Sequence, residues 1–154
     1  MSYKVEFHAA DLDVQVELLK HFPEIANRNF YPAMQRSVRA VKTAIGSRMS
    51  FNDRTGRARS AMMSKVGGKG VNITGRVGWW GGGMPWYVNI LEYGAGPHVI
   101  GYVPALDVAF TKSRPHPGVP AMKFVAGGYE AARPEVESEM ETALFRTVAD
   151  LEAK

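Results

Sequence analysis

The 154 residues include no cysteine, which removes disulfide frameworks, thiolate zinc sites and cysteine nucleophiles together. No apolar run approaches the roughly 20 residues of a membrane span, and Met1 to Ala10 alternates charge with apolar residues instead of building a signal-peptide core. The chain reads as soluble and unprocessed, with no membrane partner. Phosphate fingerprints are missing as well. A P-loop needs Gly-x4-Gly-Lys followed by Ser or Thr, whereas Lys69 is followed by Gly70 and Lys112 has no glycine before it. Gly94-Ala95-Gly96 lacks the third glycine and the strand-to-helix crossover of a dinucleotide fingerprint. His8, His21, His98 and His116 show no i, i+4 metal spacing, and Ser60 and Ser113 have no evident histidine and carboxylate partners. No catalytic residue, cofactor or metal is expected.

Acidic residues are scarce in one long stretch. Between Arg28 and Arg76 the basic residues are Arg28, Arg36, Arg39, Lys42, Arg48, Arg54, Arg57, Arg59, Lys65, Lys69 and Arg76, and the only acid is Asp53. From Tyr129 on the balance reverses, with Glu130, Glu135, Glu137, Glu139, Glu141, Asp150 and Glu152 against Arg133, Arg146 and Lys154. The net charge of +4 therefore hides two opposed segments. Such polarity serves nucleic-acid binding through one face, or contact between the basic face of one copy and the acidic face of the next.

The length fits one domain over 1–154, large enough to bury roughly two-thirds of its unfolded surface. Tyr3, Val5 and Phe7 alternate with Lys4, Glu6 and His8, which predicts a short strand. Asp11 and Asp13 are N-caps for a short helix through Leu18 and Leu19, stopped by Pro23. Pro32 suits the first turn of a second helix, in which Met34, Val38, Val41, Ile45 and Met49 form an apolar stripe and Arg36, Arg39 and Lys42 face away. Turn formers from Phe51 to Gly56 end it. A hairpin is predicted next: a strand over 61–66, a loop at Gly67 to Gly70, and Val71, Ile73, Val77 and Trp79 as the inward face of a second strand. Gly75 and Gly78 mark a bulge or a close backbone approach.

Pro85 to Tyr93 reads as a short helix with Trp86, Ile90 and Tyr93 on one side, and Val99 to Val103 as a strand. The stretch at about 104–120 has no periodicity and reads as an irregular loop ordered by assembly. Val136, Met140, Leu144, Val148 and Leu151 make an apolar stripe on a closing helix, with Pro134 expected in a first turn or at a kink, so that 124–133 forms a separate piece.

Two features stay open at this level. The basic surface carrying Arg36, Arg39, Lys42, Arg57 and Arg59 is a solvated face, a subunit interface or a nonspecific nucleic-acid contact. Trp79, Trp80, Trp86 and Tyr87 are core packing or anchors on a neighbouring subunit.

Three stretches recur in a telling order. Thr55-Gly56-Arg57-Ala58-Arg59-Ser60-Ala61-Met62 follows the basic amphipathic helix, Trp86-Tyr87-Val88-Asn89-Ile90-Leu91-Glu92-Tyr93-Gly94 comes next, and Pro120-Ala121-Met122-Lys123-Phe124-Val125 leads into the last helix. Over about residues 30–150 this resembles the small neck proteins of long-tailed bacteriophages, the tail-completion, tail-terminator, head-to-tail joining or minor tail proteins. The positions that carry the resemblance are Thr55, Gly56, Tyr87, Glu92, Tyr93, Gly94, Pro120 and Phe124. It implies a non-enzymatic α+β fold, with a small antiparallel sheet packed against an amphipathic helix and a C-terminal helix. It also implies a homo-oligomeric ring, a hexamer, in the neck of a virion assembled in the host cytoplasm. The implied partners are the head connector or adaptor and tail tube proteins, with nonspecific contact to genomic DNA. Glu92 is then structural, held by amides of the glycine turn or by an arginine.

Overall fold

The computed structural model describes residues 9–81, 85–103 and 108–153; the strand expected at Tyr3 to Phe7 lies outside them. The elements in chain order are α1 (Ala9–Arg48), α2 (Arg57–Ser60), β1 (Met63–Lys69), β2 (Asn72–Gly78), α3 (Tyr87–Tyr93), β3 (His98–Val103), β4 (Val108–His116) and α4 (Phe124–Glu152). β1 pairs with β2 and β3 with β4, so the class is α+β with two small antiparallel sheets in place of the single one expected.

The first correction concerns the prolines. The two helices expected on either side of Pro23 and Pro32 are one helix of 40 residues, and α4 likewise runs unbroken through Pro134. An interior proline costs about 3 kcal/mol by removing one hydrogen bond and crowding the carbonyl four residues back. All three prolines are exposed, and in α1 the carbonyls concerned belong to the exposed residues Leu19 and Arg28. Water can satisfy those carbonyls, and burial of Ile25, Ala26 and Ala33 beside them offsets the rest.

The residues group into two compact units. One gathers the chain up to Lys42, Ser64–Val77 and the chain from Ala132 on; the other gathers Thr43–Met63 and Gly78–Ala131.

In the first unit α1 and α4 meet through small side chains. Ala33, Ser37 and Val38 on α1 and Ala132, Ala143 and Thr147 on α4 are buried. The buried hydroxyls bond their own helices, Ser37 Oγ donating to the Ala33 carbonyl and Thr147 Oγ1 to that of Ala143. The apolar stripe expected on α4 is therefore rotated: Leu144 and Val148 are exposed, and the buried line passes through alanine and threonine. Small residues let the two helices approach closely, an advantage that a search for large apolar residues does not register. The hairpin also shifts, since β1 continues to Lys69 and the turn falls at Gly70 and Val71. Val71 is consequently exposed, whereas Ile73, Val77 and Trp79 are half-buried as expected. Gly75 marks the close approach its position implied. A β-carbon there would lie 2.5 Å from Val38 Cγ1 and 2.6 Å from Met34 Sδ, so this strand lies directly on α1.

In the second unit Ile45, Met49, Ala58, Met62, Val88 and Phe124 are buried. The segment expected to be an irregular loop forms β4 over most of its length. Its register with β3 runs from His98 opposite His116 to Val103 opposite Val108, with a shift between Ile100 and Tyr102. Backbone pairing supplies the order, and a two-stranded ribbon held by its ladder needs no alternation of apolar and polar residues to form. Beyond its end, Ala95 and Val119 exchange backbone hydrogen bonds at 2.8 Å.

Candidate functional site

The three sequence stretches converge in the second unit. Phe124, at the first position of α4 and 1% exposed, packs with ring centroids 5.5 Å from Phe51 and 6.1 Å from Trp79. Phe51 in turn meets the edge of Tyr87 at 6.4 Å. Trp79 donates its indole N–H to the Ala58 carbonyl at 2.7 Å, which ties β2's end to α2. Thr55 and Gly56 form the turn entering α2: Thr55 Oγ1 accepts from the Arg57 amide, and Gly56 adopts φ +66°.

Glu92 is the polar centre of this cluster. Its residue is 6% exposed, and its two carboxylate oxygens accept from the amides of Val125 (2.8 Å) and Ala126 (3.1 Å). Those amides lie in the first turn of α4, where no intrahelical carbonyl can reach them and where the helix dipole favours negative charge. The carbonyls of Leu91 and Glu92 also accept from the Met122 and Lys123 amides. The partners expected were the glycine turn or an arginine; the donors are instead a helix start 33 residues on. Gly94 makes this possible. It holds φ +78° and ψ 173°, and a β-carbon would sit 2.8 Å from the Val119 carbonyl oxygen. Pro120 is exposed in the segment returning to α4, and Tyr93 points to solvent at 80% exposure.

The five basic residues differ in what they touch. Arg59 turns its guanidinium onto the Gly46 and Met49 carbonyls, closing the C-terminal end of α1, and its amide bonds Asp53 Oδ2 at 3.0 Å. Arg36 bonds Glu139 through Nε at 2.8 Å and Nη2 at 2.7 Å. This two-point contact raises the Arg36 pKa above its ordinary value and lowers that of Glu139. A second clasp in the same unit joins Asp150 to Asn29 (2.8 Å) and Arg28 (2.7 Å). The amide hydrogen bond first and the arginine second lower the carboxyl's pKa. Arg39, Lys42 and Arg57 remain without an ion-pair partner among the described residues. Part of the charge polarity read from the sequence is thus neutralised within one chain.

Beside the cluster lies a cleft of about 360 Å³ lined by Phe51, Asn52, Asp53, Arg54, Thr55, Tyr87 and Leu91. No nucleophile and base are paired in it. His98 and His116 stack across β3 and β4 at 4.8 Å. His98 donates Nδ1–H to the Gly96 carbonyl, and His116 Nδ1 accepts from the Gly118 amide. Both rings therefore spend one nitrogen on fixing the same end of the ribbon. Among the described residues no group of three or more metal-ligating side chains comes together, and no helix is long and apolar enough to cross a membrane.

The chain matches no family model, no curated protein and no solved structure. What the site offers is read from its own residues. The packing role of Phe51 and the capping role of Arg59 were missed at the level of sequence. Only Arg59 had a legible signal, as a basic residue shortly after a helix end, where arginine can bond the last carbonyls.

Proposed function

We propose that this chain is a virion structural protein that completes or terminates the tail of a long-tailed bacteriophage and joins it to the head connector as a ring subunit. The observation that carries this reading is the meeting of Thr55–Gly56, Tyr87–Gly94 and Pro120–Phe124 in one cluster. Among the residues responsible for the family resemblance, Thr55, Tyr87, Glu92, Gly94 and Phe124 make contacts within this cluster, whereas Tyr93 and Pro120 face solvent. The chemistry of the cluster is that of a frame: a buried carboxylate satisfied by amides, a glycine whose positive φ and close carbonyl neighbour disfavour any side chain, and an aromatic plug. A motif of this kind maintains a shape that partners recognise and transforms no substrate.

The test is to delete the coding sequence from the phage or prophage that carries it and to image the particles. The expected result is filled heads and free tails that fail to join, with the protein located at the neck of wild-type particles. Joined, infectious particles from the deletion, or purified virions lacking the protein, refute the reading.

A further inference from the structure

Two exposed surfaces are left over by the packing described above. On α4, Glu141, Phe145, Val148 and Glu152 recur at intervals of four, three and four residues, which places them along one line of the helix. Phe145 is 72% exposed and Val148 45%, and Leu144 beside them is 51% exposed. Glu141 and Glu152 are exposed and have no ion-pair partner among the described residues. The line thus has an apolar centre with a carboxylate one turn beyond each end.

The second surface is the outer side of α3, opposite buried Val88 and Glu92. Trp86 is 64% exposed and Tyr93 80%; seven residues apart, they stand about 10 Å from one another along the helix. Two exposed cations lie close by. Lys123 donates its amide to the Glu92 carbonyl at 3.2 Å, and Arg54 shares a cleft with Tyr87 and Leu91. Among exposed residues, tryptophan and tyrosine are the types most often found anchoring interfaces.

We infer that these surfaces meet between copies: the α3 face of one copy docks on the α4 line of the next. Trp86 and Tyr93 cover Leu144, Phe145 and Val148, while Arg54 and Lys123 answer Glu141 and Glu152. The inference rests on the ring reading and deepens it by naming the contact. The occupant is a second copy because each patch supplies what the other lacks, an apolar centre with charge of opposite sign at its margins. The two patches differ, so the contact can run head to tail, and under the ring reading it propagates around the ring. Aromatic rings beside cations also suit single-stranded nucleic acid, but that partner leaves the acidic α4 line uncovered.

The experiment follows the mass of the full chain by sedimentation velocity and native mass spectrometry, with circular dichroism as the check on folding. One variant carries Trp86→Ala and Tyr93→Ala, and another carries Phe145→Lys and Val148→Lys. All four positions are exposed, so the fold is expected to persist. Each variant alone should self-associate about tenfold more weakly or worse. An equimolar mixture should form a one-to-one dimer and stop there, because each copy keeps one intact face. Charge reversal gives a second, milder probe: Glu141→Lys with Glu152→Lys should block assembly and be rescued by a copy carrying Arg54→Glu and Lys123→Glu. A mixture that stays monomeric while wild type assembles overturns the pairing, as does unchanged assembly of both variants; in either case the ring reading stands. Loss of single-stranded DNA binding with assembly untouched in the Trp86/Tyr93 variant overturns it in favour of nucleic acid. A monomeric wild type that is also absent from virions overturns both.

Discussion

Replacing Glu92 tests whether a buried carboxylate caps a helix or serves chemistry. In Glu92→Ala the amides of Val125 and Ala126 lose their acceptors, and each unsatisfied buried donor costs about 1–3 kcal/mol. Val125 is half-buried and Ala126 exposed, so water recovers part of the loss and the lower end of that range applies, about 1–1.5 kcal/mol each and about 2–3 kcal/mol in total. Glu92→Gln keeps one acceptor oxygen but turns an NH2 group toward the other amide and removes the charge favoured by the helix dipole; about 1–2 kcal/mol follows. Urea unfolding should show midpoints in the order wild type, Gln, Ala. At this chain length the Ala variant should melt roughly 5–10 °C lower. Both variants falling within about 0.5 kcal/mol of wild type would refute the capping role. A gain in stability would point the other way, to a carboxylate held at a cost to folding for the sake of a reaction.

Gly94→Ala should destabilise by roughly 3 kcal/mol, since its backbone lies where only glycine is unstrained and the new methyl group would strike the Val119 carbonyl; a soluble variant melting like wild type contradicts this. Arg59→Ala should cost about 1–2 kcal/mol through the freed carbonyls of Gly46 and Met49. Arg57→Ala should stay within about 0.5 kcal/mol, and equal effects at the two arginines would remove the distinction drawn between them. The clasps at Glu139 and Asp150 have folded-state pKa values below their unfolded ones. Their stabilisation is thus present at neutral pH and lost as pH falls through the folded values. A chain carrying Glu139→Gln and Asp150→Asn should show a flatter decline in stability between about pH 5 and pH 2 than wild type, and an unchanged slope counts against the clasps.

Period and turn chemistry revealed much of the fold. The stripe through Val38, Ile45 and Met49, the turn from Phe51 to Gly56, the helix ending at Tyr93 and the strand near Val99 all have local causes and are found where their residues place them. The misses share a physical origin in contacts distant along the chain. By local rules Pro23 ends a helix, Pro32 opens one and Pro134 opens or kinks one, yet side-chain burial along the same helices outweighs them. The spacing of Trp86, Ile90 and Tyr93 revealed the helix α3 but not which side packs, and the buried side uses Val88 and a carboxylate whose donors are 33 residues away. The positions of the motif were legible, but their mutual contact was not, since nothing in Thr55, Glu92 or Phe124 alone specifies the other two.

The grouping of residues into two units bears on synthesis. Domains generally fold as they emerge, those nearer the N-terminus first. Here the unit that opens the chain cannot close until the residues from Ala132 on have been made, whereas the unit that begins at Thr43 has all its residues by Ala131. The later-starting unit is therefore the first that can be completed on the ribosome. Until α4 arrives, the part of α1 up to Lys42 waits with Ala33 and Ser37 not yet met by that helix, and during that interval a nascent chain is most exposed to pairing with the wrong helix.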